Sequence, residues 1–348
     1  MNTKKLLPLA LLPIGIIPLI TISCSSNETT TYFEAEGLEI SSKGVVMGYA
    51  DEGTHPEKLE IKEEYNGVKI TEIANAAFAD QQINGLTLPK TLVKIGSWAF
   101  QNIVSPVANT GETSVPWDLS HLTNLEYIGS WAFGFDLPKL LNIDLNLSGL
   151  SKLKVIEQGA FSSIGLTSVD LRGLINLEII SDYSFGQNSI SKIYWPEREN
   201  KIKSIGTAAF NTNELTELSF VSLSSLENIG PSAFGKNSIT SILWNNFSKI
   251  KSIGNSAFYN NKLSGELDLH DLINLESIGI DAFLQNNISS IVWPTPSQIK
   301  SIGLEAFALN NFGANIPTFP GGLTTETNGG ITPEQIFTNK VKKLPSSN

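Results

Sequence analysis

Three near-copies of one decapeptide constrain this chain more than any other feature. "KIKSIGTAAF" spans Lys201 to Phe210, "KIKSIGNSAF" spans Lys249 to Phe258, and "QIKSIGLEAF" spans Gln298 to Phe307. Variants ending at Phe234 and Phe283 lie between them, so the repeating unit has about 24 residues. Aligned on the Phe of each "AF", the units end at Phe78, Phe100, Phe133, Phe161, Phe185, Phe210, Phe234, Phe258, Phe283 and Phe307. From Phe161 onward the spacing is 24 or 25; earlier it is 22, 33 and 28, which places insertions in that part. Isoleucine stands five residues before every Phe, and Ile or Leu stands eight before. Alanine precedes each Phe except at Ser184.

One unit reads L-x-x-I-x-L, a turn, then I-x-x-I-G-x-x-A-F-x-x-N. The I-x-L portion alternates with period two and predicts a short strand. Two short extended segments enclose no interior of their own. Stacked on copies of itself, the unit turns its Ile, Leu and Phe into one continuous core, and that is why it recurs.

The pattern "IGxxAFxxNxIxxIxxP" resembles the leucine-rich repeat of the bacterial surface-antigen (BspA-like) type, with Asn where that family usually has Cys. The resemblance runs from about residue 36 to 312. It implies a mainly β fold: a right-handed solenoid with a parallel sheet on its concave face, and short turns and 3₁₀ pieces elsewhere. Residues 36–67, with "GVVMGYADEG" and "YNGVKITEI", resemble that family's β-rich N-terminal cap, and 68–312 would hold about ten repeats. The family's roles in adhesion and protein recognition become expectations for this chain.

The first 23 residues carry Lys4 and Lys5, then an apolar run from Leu6 to Ile22, which reads as a secretory signal. Pro8, Pro13 and Pro18 weaken the rival reading as a spanning helix. "TISCSS" resembles a bacterial lipobox, although Thr21 departs from the aliphatic residue preferred there. The resemblance makes Cys24 the lipidated first residue of a membrane-anchored, Mollicutes-like surface lipoprotein. Residues 24–35 read as a flexible tether. After Phe312 the period stops, and 313–348 read as a loose tail in which "TPEQIFTNKVKK" suits a short helix.

Within the regular units Asn188, Asn213, Asn237, Asn261, Asn286 and Asn310 stand three residues after the Phe. A buried amide there suits a structural ladder bonded to backbone groups. Seven residues before the Phe, charge alternates through Glu178, Lys203, Glu227, Lys251, Glu276 and Lys300, which predicts attraction between adjacent coils. Trp195, Trp244 and Trp293 recur every 49 residues, which points to duplication of a two-coil unit.

Formal charge is −10 over 348 residues, and removal of 1–23 takes away two lysines and no acid, giving −12. Such a chain lacks the Lys/Arg clusters that phosphates demand, so nucleic acid is not an expected partner. Its single cysteine excludes a disulfide framework and a multi-cysteine metal site. None of His55, His121 and His270 stands at a catalytic spacing, and Asp268 and Asp271 beside His270 read as a solvated strand end. No enzyme activity, cofactor, metal or small-molecule substrate is expected.

Function is therefore expected on the surface. The outward strand positions are Asp170, Tyr194, Ser219, Leu243, Asp268 and Val292, polar and apolar in alternation. As a binding row they would meet a host or matrix protein; as decoration they would only solvate a strand. Trp98 and Trp131, two residues before the Phe, flank the insertion at 104–117 and form a second candidate, the alternative being that they pack beneath that loop. Two functions follow: an adhesive surface lipoprotein, or a structural, shielding surface antigen without a dedicated ligand.

Overall fold

The computed structural model describes residues 30–338 apart from 52, 54, 56–57, 84, 104–117, 136–141, 198, 247 and 314–315. The signal segment, Cys24, the first half of the expected tether, the 104–117 insertion and the last ten residues therefore lie outside the described part. The chain forms a solenoid of about ten coils, numbered here 1 to 10 by the phenylalanines Phe78 to Phe307.

These phenylalanines form one column. Successive ring centroids are 5.1–5.7 Å apart from Phe78 to Phe307, and no interplanar angle exceeds 14°. All ten side chains are fully buried. Rings at this separation are offset stacks, which the aromatic quadrupole favours over face-to-face sandwiches. Ser184, the exception among the preceding alanines, is also fully buried, and its hydroxyl donates to the Ser181 carbonyl at 2.8 Å.

A continuous sheet accompanies the column. Each coil contributes a two-residue strand, from Glu72–Ile73 through Ser204–Ile205 to Ser301–Ile302, paired parallel with its neighbours. The second residue is always the isoleucine five before the Phe, and it is buried. The glycine that usually follows marks a close approach of backbones: a Cβ on Gly206 would lie 2.7 Å from the backbone of Ser181 and Asp182, and one on Gly303 2.3 Å from the Ile280 nitrogen. Ala74, Glu157 and Ser181 occupy this place in three coils, so the approach is a preference and not a rule.

The period-two segments form strands as expected, but in separate patches. Lys58–Glu60 pairs with Gly85–Thr87. Ile143–Asn146, Leu166–Asp170 and Lys192–Tyr194 make a second patch; Glu217–Ser219 with Ser241–Leu243, and Ser264–Asp268 with Asn287–Val292, make two more. The breaks follow the coils of Trp195 and Trp244, so the 49-residue superperiod reappears as interruptions. Trp195 and Phe220 face each other across the first break with centroids 6.5 Å apart, wider than the usual strand spacing.

The third side of each coil is unusual. Residues two before and two after the Phe sit at positive φ in nearly every coil, for example Ala208 at 52° and Thr212 at 55°. A left-handed conformation costs an L-residue roughly 1–2 kcal/mol. Inter-coil bonds offset it: the N–H groups of Ala208, Phe210 and Thr212 donate to the carbonyls of Pro231, Ala233 and Gly235 at 2.8, 2.8 and 3.0 Å. Among the described residues these connections are single turns, and no 3₁₀ piece of the expected kind occurs.

Both ends are closed. Tyr32–Ala35 pairs antiparallel with Leu38–Ser41, which pairs with Val45–Tyr49, and that strand continues in parallel into coil 1. The last four residues of the expected tether are thus a strand. Tyr49 meets Phe78 edge-on at 5.2 Å. At the other end the expected loose tail is a cap as far as Thr338. The helix Pro333–Phe337 starts with a Thr332–Gln335 capping box. Phe337 stacks on Phe307 at 5.4 Å, and the N–H groups of Glu305 and Phe307 donate to the Gln335 and Ile336 carbonyls as those of Asp281 and Phe283 donate to Leu304 and Ala306. Ile336–Phe337 is therefore an eleventh "AF". Asn328, 4% exposed, closes the sheet edge by accepting from Ile302 N–H at 2.8 Å and donating back to its carbonyl at 3.1 Å.

Candidate functional site

The six asparagines staple adjacent coils. Asn237 accepts from Leu215 N–H at 3.1 Å and donates to the carbonyls of Phe210 and Phe234 at 3.0 and 3.1 Å. Asn213, Asn261, Asn286 and Asn310 repeat this geometry, each accepting from the coil before. Asn188, at the start of the ladder, accepts from Ile164, Gly165 and Leu166 together. Their amides are engaged on both sides, which leaves them no ligand chemistry.

The alternating charges resolve into pairs, each lysine reaching back to the preceding glutamate. Lys203–Glu178 is 2.9 Å, and Lys251–Glu227 and Lys300–Glu276 are 2.7 Å. The series extends to Lys154–Glu126 at 2.5 Å and, one position along, to Lys94–Glu72 at 2.5 Å. Hydrogen bonds from the lysines hold the carboxyls of Glu126, Glu178, Glu227 and Glu276 below the usual glutamate range.

The outward row is brought together pairwise. Asp170 is in register with Tyr194, Ser219 with Leu243, and Asp268 with Val292. Leu243 is 60% exposed and Tyr194 36%, while Val292 is half-buried. The three apolar residues stand in alternate coils, so Ser219 and Asp268 separate them. Lys192 and Arg172 flank the Tyr194 ring at 4.6 and 5.4 Å from its centroid. Burial pushes the Asp170 carboxyl up, but side-chain and backbone hydrogen bonds from Arg172 together hold it below its ordinary value. Asp268 bonds His270 Nδ1 at 2.7 Å, and Asp271 lies 3.1 Å from Nε2; these bonds raise the imidazole pKa. Among the described residues no group of acidic, His or Cys side chains is placed to hold a metal ion, and no helix is long and apolar enough to cross a membrane.

Trp98 and Trp131 fall on the left-handed position two before the Phe, with φ of 58° and 56°. Tyr183, which the sequence reading overlooked, occupies the same position in coil 5 at 58°. Trp98 is 45% exposed and Tyr183 38%; Trp131 is half-buried. In coil 4 the position is Gly159, and its missing Cβ is what Trp131 uses. A Cβ there would lie 2.5 and 2.6 Å from Cε2 and Cδ2, the fusion atoms of the indole. An in-plane approach cannot reach both fusion atoms first, so the glycine lies under the face of the ring. The edge of the same indole abuts Gly134, whose Cβ would meet Cε3 at 2.7 Å. One glycine thus lies under the face of Trp131 and another at its edge.

Comparison with known proteins follows this architecture. The profile of the BspA type leucine rich repeat region (6 copies) matches residues 71–203 and again 178–313. No curated protein matches the chain in sequence. Among solved structures, the pneumococcal vaccine antigen PcpA is 16% identical, with 80% of this chain and 79% of that one covered and a TM-score of 0.43. A leucine-rich repeat protein from Bacteroides ovatus ATCC 8483 is 17% identical over 80% and 90% of the two chains, with a TM-score of 0.33. The T. pallidum leucine rich repeat protein TpLRR is 13% identical over 82% and 88%, with a TM-score of 0.18. With its ten coils aligned on Ile and Phe spanning both matched stretches, the chain belongs to the BspA-type leucine-rich repeat family.

Proposed function

We propose that this chain is a non-enzymatic cell-surface protein, lipid-anchored through Cys24, whose solenoid binds a host or matrix protein. The observation that carries the reading is the single unbroken ring column beneath an exposed surface. It makes the outside of the solenoid a rigid display surface, and preorganised side chains bind with less loss of freedom. The outward row supplies Leu243 and Tyr194 as apolar contacts, with Asp170, Ser219, Asp268 and Val292 around them. A BspA-type repeat region supports surface exposure. The polar residues between the apolar ones favour a second reading, a shielding antigen without a dedicated ligand.

One experiment separates them. The mature chain and its Tyr194→Ser, Leu243→Ser, Val292→Ser variant are exposed to purified matrix proteins and host-cell surface extract. Adhesion through this row predicts saturable capture that the variant loses. Equal capture by both would remove the row, and no saturable capture would leave the shielding reading. Labelling of the wild type with an alkyne fatty acid, absent in Cys24→Ser, checks the anchor.

A further inference from the structure

We infer that coils 2 to 5 carry an aromatic platform for an uncharged polysaccharide, formed by Trp98, Trp131 and Tyr183 and independent of the outward strand row. The three residues share one row: the N–H groups of Trp98, Trp131, Gly159 and Tyr183 each donate to the next coil from the same position. Hydrogen-bonded coils lie about 4.8 Å apart. Trp98 and Trp131 are thus neighbours, and Tyr183 is two coils, about 10 Å, beyond Trp131. That is the scale of two linked hexose rings.

The orientation matters as much as the spacing. Trp131 lies on Gly159 with one face against backbone. The indole as a whole is half-buried, so part of it stays in solvent. A pyranose presents an apolar face of C–H bonds, and the electron-rich face of an aromatic ring is its natural partner. A protein hot spot instead buries its aromatic anchor in a pocket of the other surface. In coils 6 to 10 the same position holds Ala208, Ser232, Ser256, Asp281 and Glu305. The aromatics are confined to one stretch, and they sit on a left-handed backbone that disfavours bulky side chains.

Beside the rings lie groups that suit sugar hydroxyls. Gln158 and Asp182 are exposed, and Glu157 is half-buried. Carboxylates and amides accept from adjacent hydroxyls. No lysine or arginine stands among residues 155–159 or 179–183, and the chain is acidic overall at −10. Charge complementarity therefore selects a neutral glycan over a sulfated or uronic one.

The test is a titration of the full chain with cellohexaose and chitohexaose, followed by tryptophan fluorescence and calorimetry. Cellobiose serves as the short control and a heparin hexasaccharide as the charged one. At least one neutral hexamer should bind saturably, the disaccharide more weakly, and the heparin fragment not at all. Trp98→Ala and Tyr183→Ala remove exposed rings, and each should weaken binding about tenfold with an unchanged melting midpoint. Failure of both hexamers to bind overturns the inference, as does equal binding by both variants or by heparin. Loss of matrix-protein capture in these variants, without any glycan binding, would assign the surface to a protein partner instead.

Discussion

Coils 1 to 4 and coils 5 to 10 solve the same packing problem in two ways. In the later coils the position three after the Phe is an asparagine bonded to two coils. In the earlier coils it is Gln81, Ile103 and Ile164 at the places the structure describes. Ile103 and Ile164 are 5% and 0% exposed, so hydrocarbon fills the space that an amide fills elsewhere. Amide hydrogen bonds are directional and demand a constant chain path between coils. Spacings of 24 or 25 supply that constancy from Phe161 on, whereas 33 and 28 do not. Apolar burial is non-directional and tolerates insertions. The ladder begins where the period becomes regular, and the insertions fall ahead of it, in the part of the chain that has no asparagine at this position.

The largest expected effect tests whether both halves share one column. Phe234→Ala and Phe100→Ala each remove a fully buried ring between two others, at a cost of about 3–5 kcal/mol. Urea denaturation of the two variants should show similar losses. A loss confined to Phe234→Ala would mean that the early coils do not depend on the column. The next test separates the halves. Asn237→Ala takes this partner from the Leu215 N–H and the Phe210 carbonyl, while the Phe234 carbonyl keeps Asn261 at 2.9 Å, and should cost about 1–3 kcal/mol. Ile164→Val removes one methylene with no polar consequence and should cost about 0.5–1.5 kcal/mol. Reversal of that order would show that the amide ladder contributes little beyond filling space.

The column, the ladder and the charge pairs were legible because each repeats at one fixed offset from the Phe. What stayed hidden left no constant residue type at its position. The two-residue strands of the continuous sheet are too short to show alternation; only the second residue, the invariant Ile, faces inward. Apart from Gly159, the left-handed positions two before the Phe carry Ala, Ser, Asp, Glu, Trp or Tyr instead of glycine, so composition concealed them, and Tyr183 went unnoticed as a third aromatic. The eleventh "AF" was hidden because Ile336 replaces alanine and Phe337 lies 30 residues from Phe307, outside the usual spacing. Of the candidate surface, the residues of the outward row could be identified, but the sheet breaks that part them follow from tryptophan bulk, which no strand pattern displays.

The hidden coil gives a smaller effect at the boundary. Phe337→Ala exposes one face of Phe307 and loosens the cap that Asn328 completes. Terminal coils stack on one side only, so the loss should be local. Hydrogen exchange of the Phe307 and Ile302 amides should quicken at least tenfold, with coils 1 to 4 unchanged. Uniform quickening along the chain would mean that the two halves open as one unit.

The smallest effect concerns charge, because the pairs lie in both halves and are solvent-exposed. Lysine hydrogen bonds depress the folded-state pKa of Glu126, Glu178, Glu227 and Glu276. A depressed carboxyl pKa adds stability that is fully present above the unfolded value and is lost as pH falls through the folded value. The loss therefore lies in the acid range, below about pH 4.3 where an unperturbed glutamate titrates. Salt screens exposed pairs, so the effect should shrink at high ionic strength. Replacing Glu178, Glu227 and Glu276 with Gln should flatten the acid side of the stability curve in coils 5 to 10 while leaving the Glu126–Lys154 response in place. If the variant and the wild type lose stability identically between pH 5 and pH 3, the pairs are geometric accompaniments of the stacking, and the regular half owes its order to the amides and rings.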